Sequence, residues 1–184
     1  MKSCFAAALL LASAAAAHGA EWTPVVAKST VSFSGSYDGE PFDGRFRRFT
    51  AEVTTDAATN APSRVAAVID LRSADTSNAE RDETLATAEF FDTARFPEAR
   101  FRTTACRGAA PKITCDAELT IRDRTRPLVF PLTWTHGPDG TAKLESSVVV
   151  KRLAFGVGSG DWADTALIPD AVTVRIALVL QPAP

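Results

Sequence analysis

Residues 73–101 read SADTSNAERDETLATAEFFDTARFPEARF. This is the one stretch of the chain that does not read as strand, and its place between strand signals decides the fold. Ser73, Asp75, Thr76, Ser77 and Asn78 carry side chains that accept hydrogen bonds from the open N–H groups of a helix start. A short polar helix over about residues 79–88 is expected to follow. Phe90 and Phe91 come next as a pair, and Phe96-Pro97 turns the chain toward a strand at Phe101. Neither glycine nor a run of β-branched residues interrupts the stretch. It reads as a lid packed on a β structure and anchored by Phe90, Phe91 and Phe96.

Outward from the lid, both flanks alternate with a period of two. Val31, Phe33, Gly35 and Tyr37 stand against Ser32, Ser34 and Ser36, and Asp38-Gly39 makes a turn. Phe42, Gly44 and Phe46 continue the pattern, but Phe49, Ala51 and Val53 carry the opposite parity. The shift predicts a bulge near Arg47-Arg48. Val65, Ala67, Ile69 and Leu71 lead into the lid, and 101–105 with 113–121 form a hairpin after it. Leu128, Phe130, Leu132 and Trp134 alternate again. Pro131 falls in the outward phase there and, having no N–H, marks an edge or a bulge. Ser146, Val148 and Val150 form one more strand, and Val172, Val174, Ile176, Leu178 and Leu180 the last. About eight short strands, one short helix and no βαβ rhythm predict an all-β fold, an antiparallel sandwich or barrel. An eight-stranded barrel has an interior just wide enough for side chains or one slender ligand.

The first twenty residues, MKSCFAAALLLASAAAAHGA, read as a cleaved leader. Lys2 supplies the charge, and the 13-residue apolar run 5–17 is too short for a membrane span of about 20 residues. A secreted, periplasmic product with one domain over 21–184 is expected. No second apolar run approaches membrane-spanning length. Without the leader, 19 basic residues face 22 acidic ones, a balance that leaves no footprint for nucleic acid. Cys106 and Cys115 remain, and in an exported chain such a pair suggests a disulfide. Strand parity objects, because Cys106 points away from Phe101, Thr103 and Ala105 while Cys115 shares the apolar face of Ile113, Ala117 and Leu119. A bridge therefore requires a bulge or a bond made in the loop; two free thiols is the alternative.

The residue inventory argues against most enzyme classes. His18 falls in the leader and His136 in a turn, so neither a metal-ligand spacing nor a Ser-His pair emerges. The cysteines lack the CxxC spacing of a redox motif. Gly156-Val157-Gly158-Ser159-Gly160 is glycine-rich, but no Lys-Ser/Thr follows and no βα pattern surrounds it. Glu80, Asp82, Glu83 and Glu89 cluster in the lid and read as a solvated helix face rather than as a glycosidase pair. The expectation is a protein that is not an enzyme and uses no cofactor.

Taken in order, several short motifs resemble one family, the YceI-like proteins. They are Ser29-Thr30-Val31-Ser32-Phe33, Gly44-Arg45-Phe46-Arg47-Arg48-Phe49, Val68-Ile69-Asp70-Leu71, Phe90-Phe91-Asp92, Phe96-Pro97, the run from Ala117 to Asp123, and Arg152-Leu153-Ala154-Phe155-Gly156. One departure stands at Arg122-Asp123-Arg124-Thr125, where that family commonly has a glycine. It puts the local turn geometry in doubt.

The resemblance implies a lipocalin-like barrel with a long apolar tunnel. It implies as partner an isoprenoid lipid, either a quinone tail or a polyprenyl phosphate. On that reading Phe33, Phe46, Phe90, Phe101, Leu119, Trp134 and Phe155 line the tunnel; the plain alternative is that they fill a core. Arg45, Arg47, Arg48, Arg122, Arg124, Arg126 and Arg152 are head-group candidates, and Arg152 leads them. Its own alternative is a structural hydrogen bond that fixes a turn. A second class of function remains, a stress-response or interaction protein on a solid barrel with its function in the loops. A homodimer through an edge strand or the lid is open.

Overall fold

A strand that alternates apolar and polar residues has one face to hide, and an antiparallel sheet hides it by closing on itself. The computed structural model, which describes residues 19–184, has that closure. The leader expected over residues 1–20 lies outside the described residues except for its last two. Eleven antiparallel strands form one sheet. They are β1 (Glu21–Pro24), β2 (Thr30–Tyr37), β3 (Glu40–Phe46), β4 (Phe49–Thr55), β5 (Pro62–Asp70), β6 (Ala74–Asp75), β7 (Glu98–Ala109), β8 (Lys112–Ile121), β9 (Arg124–His136), β10 (Ala142–Lys151) and β11 (Ala171–Pro182). β1 pairs with both β4 and β11, which closes the ring.

The eleven strands make eight staves, because three staves are each broken in two. β1 and β2 both pair with β11, Trp22 opposite Pro182 and Val31 opposite Ile176, and a 3-10 turn at Val26–Lys28 interrupts them. β3 and β4 form the next stave. Its break at Arg47-Arg48 is where the sequence parity shifts, so the expected bulge is a full interruption. β5 pairs with β4 and β6 with β3, across a 3-10 turn at Leu71–Ser73. Five unbroken strands complete the ring.

The lid opens with helix α1 (Ala79–Ala86), two residues shorter than expected. The Asn78 side chain accepts from Arg81 N–H, and Asp82 accepts from the N–H and hydroxyl of Thr76. These contacts satisfy the helix start with polar groups. Leu85 is its one buried residue. The chain then doubles back through short turns, Phe91 N–H donating to Leu85 O and Phe96 N–H to Asp92 O, before β7 begins at Glu98.

The hairpin β7–β8 resolves the cysteine parity. Thr103 pairs with Ala117 but Ala105 with Asp116, so Thr104 is an extra residue, and its hydroxyl donates to Asp116 O. The bulge turns the rest of β7 over. Cys106 then lies opposite Cys115, Cα to Cα 4.0 Å, and the two form a disulfide.

Replacing both cysteines by alanine is expected to cost about 2–3 kcal/mol, the loop-closure entropy of a ring of this size. Urea unfolding under non-reducing conditions measures it; an unchanged midpoint would show that the bridge adds nothing.

Candidate functional site

The barrel interior is filled at one end and hollow at the other. At the end that holds β1 and the last residues of β11, Trp22, Val53, Cys115, Leu132, Trp134 and Leu180 are buried in one cluster. The Trp22 and Trp134 rings meet edge to face at 5.6 Å. This packing forms a floor. Above it lies an apolar hollow of about 210 Å³, walled by strand residues and roofed by Leu85, Phe90 and Phe91 of the lid.

Small residues make that space. Gly44 stands opposite Phe33 on the neighbouring strand, and a Cβ there would lie 2.3 Å from the Phe33 ring. The absent side chain lets that ring settle against the wall. Ala51, Ala67 and Ala99 also line the hollow, as do the slim Val148, Val150, Val172 and Val174.

Of the residues expected to line a tunnel, Phe33, Phe46, Phe90, Phe101 and Leu119 do line the hollow. Phe101 packs on Phe130 at 4.7 Å and Phe33 on Phe46 at 5.2 Å. Trp134 and Phe155 do not line it. Trp134 belongs to the floor, and Phe155 sits in a 3-10 turn, Arg152–Phe155, within the lid-side cluster of Phe33, Leu85, Phe90 and Val157. Parity gave their inward direction but not their depth along the bore. The long tunnel is accordingly a hollow bounded on the side of the tryptophan cluster by Val65, Phe130, Leu144 and Leu178, which belong to that cluster. Leu85, Phe42 and Ile168 line it too. Leu85 was detectable as the one large apolar residue within α1.

Arg152 borders the hollow, but its donors are already engaged. It is 5% exposed, and all five of its N–H groups donate to backbone carbonyls. Nε donates to Pro169 O at 3.2 Å, Nη1 to Val157 O at 3.0 Å and Gly158 O at 2.7 Å, and Nη2 to Trp162 O at 2.9 Å and Ile168 O at 2.7 Å. A planar fork with five donors matches five carbonyls of one looped segment. Burial pulls its pKa below the ordinary guanidinium value, with Asp170 opposing. These contacts favour the structural alternative, in which Arg152 holds the 157–169 loop over the barrel end.

Arg122 does related work for the lid. Its φ of 57° is left-handed, the conformation that a glycine in this turn would take without strain. The side chain donates from Nη1 to Phe90 O at 2.9 Å and to Gly156 O at 2.7 Å, so it joins lid to loop. Gly158 and Ser159 N–H both donate to Glu89 O across the same junction.

The remaining candidates lie elsewhere. Arg45 and Arg47 share Asp75. Arg48 and Arg72 share Asp70, whose carboxyl is held down at about 2, chiefly by the Arg72 hydrogen bond. Arg126 donates to the neighbouring Thr125 O. Glu80, Glu83 and Glu89 are exposed, Asp82 serves the helix start, and none of the four lines the hollow. No helix among the described residues is long and apolar enough to cross a membrane.

Comparison with known proteins follows this geometry. A family model described as YceI-like domain matches residues 22–180. A UPF0312 protein of Photorhabdus laumondii is 33% identical over 87 residues, 47% of this chain and 45% of that protein. Protein YceI of Escherichia coli O157:H7 is likewise 33% identical over 87 residues, 47% of this chain and 46% of its own. The chain thus spans about half the length of the curated relatives it matches. Among solved structures, Burkholderia cenocepacia BcnA superposes with a TM-score of 0.79 at 30% identity, covering 85% of this chain and 98% of its own. A polyisoprenoid binding domain from Saccharophagus degradans, implicated in plant cell wall breakdown, superposes with a TM-score of 0.72 at 16% identity, covering 90% of this chain and 99% of its own. At that identity the likeness is one of fold.

Arg152→Lys supplies three donors from one point in place of five from a fork. The variant is expected to lose about 2–4 kcal/mol of stability, since carbonyls buried around the guanidinium lose their partners. Urea unfolding checks this; a loss of less than about 0.5 kcal/mol, the scale of an ordinary surface change, would contradict the assigned role.

Proposed function

The chain belongs to the YceI-like domain family, and from that premise we propose that it is a non-enzymatic binding protein that holds the tail of an isoprenoid lipid in the barrel hollow. The observation that carries this reading is the hollow itself: roofed, floored and walled by apolar side chains. Such a space favours a ligand with nothing to hydrogen-bond. The fold likeness to the Saccharophagus polyisoprenoid binding domain supports the ligand class. A quinone tail and a polyprenyl phosphate both have the required chain. A solid-barrel scaffold with its function in the loops would need side chains through the whole bore, and the hollow has none at its centre.

The size of the space bears on how the ligand is held. An apolar cavity of about 150 Å³ accepts a six-carbon benzene ring. By that measure 210 Å³ takes about eight carbons, less than two five-carbon units. Burying that many contributes about 6 kcal/mol before an ordering cost of at least about 4. A tightly bound polyprenyl chain therefore must reach beyond the hollow or widen it.

Export belongs to the same proposal. The leader read at residues 1–20 would deliver the chain to the periplasm, and the disulfide Cys106–Cys115 suits an oxidising compartment.

Protein isolated from cells without detergent and extracted into organic solvent is expected to release an isoprenoid detectable by mass spectrometry. Protein that releases none, and takes up neither ubiquinone nor a polyprenyl phosphate in vitro, would end this reading.

A further inference from the structure

The barrel wall lacks backbone pairing along one side, and the sequence shows why. Trp134 N–H donates at 2.8 Å to Pro111 O, just before β8. Along a strand, N–H groups alternate between the two neighbours. Residues 127, 129, 131 and 133 of β9 therefore direct their nitrogens at β10. Two of them, Pro127 and Pro131, have no N–H to give. The direction is corroborated at Pro131, whose carbonyl accepts from the Ser146 hydroxyl of β10 at 2.6 Å.

The ladder responds accordingly. β9 and β10 pair from His136–Ala142 to Thr133–Glu145 and no further. Each keeps its full ladder with its other neighbour, β9 to Arg124 and β10 to Lys151. The wall thus has a seam that runs from Pro131 toward the lid. Its inner lips are Leu128 and Phe130 on one side and Val148 and Val150 on the other, and all four line the hollow. Were the register to continue, Val129 would face Val149 across it. Those two are the most exposed large apolar side chains among the described residues, at 58% and 60%. The seam is therefore apolar on both faces.

We propose that this seam is a side port through which the tail of the bound lipid passes between the hollow and the surroundings. The proposal rests on the reading of the hollow as a prenyl site. The occupant is an extended hydrocarbon chain, because the inner lips continue the apolar lining of the hollow and the outer rims, Val129 and Val149, are apolar as well. The rest of the wall is less suited. The lid is tied by backbone bonds through Glu89 and by Arg122, and the floor is filled by Trp22 and Trp134. A port also answers the size of the hollow, since a chain longer than about eight carbons has somewhere to emerge.

Three variants test the port, with tritiated geranylgeraniol as the probe. Val129→Cys with Val149→Cys staples the seam. Pro127→Thr with Pro131→Val restores the missing donors and zips it, which amide exchange along Ser146–Lys151 reports directly. Glu89→Cys with Ser159→Cys staples the lid instead. Both seam variants are expected to slow uptake and release about tenfold or more, while the lid staple leaves them within about twofold. Unchanged rates in a stapled or a zipped seam, or arrest by the lid staple alone, would overturn the port while leaving the binding site intact. Parent protein that takes up no geranylgeraniol would overturn the binding reading and the port with it.

Discussion

An eight-stave barrel encloses room for one layer of inward side chains and little more, so the bulk of those side chains decides whether it is solid or hollow. This chain uses both solutions. Near β1 and the end of β11, two tryptophans and several leucines fill the bore. Nearer the lid, alanine and valine stand among the inward phenylalanines and leucines, Gly44 gives way to the Phe33 ring, and a space remains. Close packing is the rule in protein interiors, and an unfilled apolar space forfeits dispersion contacts. The roof, the clamps and the binding reading all follow from that one imbalance of volumes.

The hollow needs a roof, and the roof is made from backbone held by arginine. Arg152 gathers five carbonyls of the 157–169 loop, and Arg122 draws one carbonyl from the lid and that of Gly156 just before the loop. Buried carbonyls without partners are costly, and a guanidinium is the side chain with enough donors to serve so many at once. The lid then contributes Leu85, Phe90 and Phe91 to the space beneath. The weakest line of the enclosure lies in the wall, where two prolines disarm one edge of β9.

Much of this was legible in the sequence. Alternation gave the strands, the break at residues 73–101 gave the lid, and Pro131 in the outward phase gave a defective edge. The cysteine pair even stated its own condition, a bulge, which Thr104 supplies. Other features were hidden for physical reasons. Parity tells which way Trp134 points but not how far along the bore it stands. The part played by Arg152 depends on carbonyls, which every residue has, so no residue type announces it. The broken staves looked like a bulge because a parity shift does not reveal a change of partner strand.

Xenon tests the central claim most directly, because it enters empty apolar cavities and avoids filled or wet ones. Crystals of the lipid-free protein pressurised with xenon should show anomalous density in the hollow bounded by Phe101, Leu119 and Val148. A bore with no xenon and with side chains or ordered waters in that place would contradict the account.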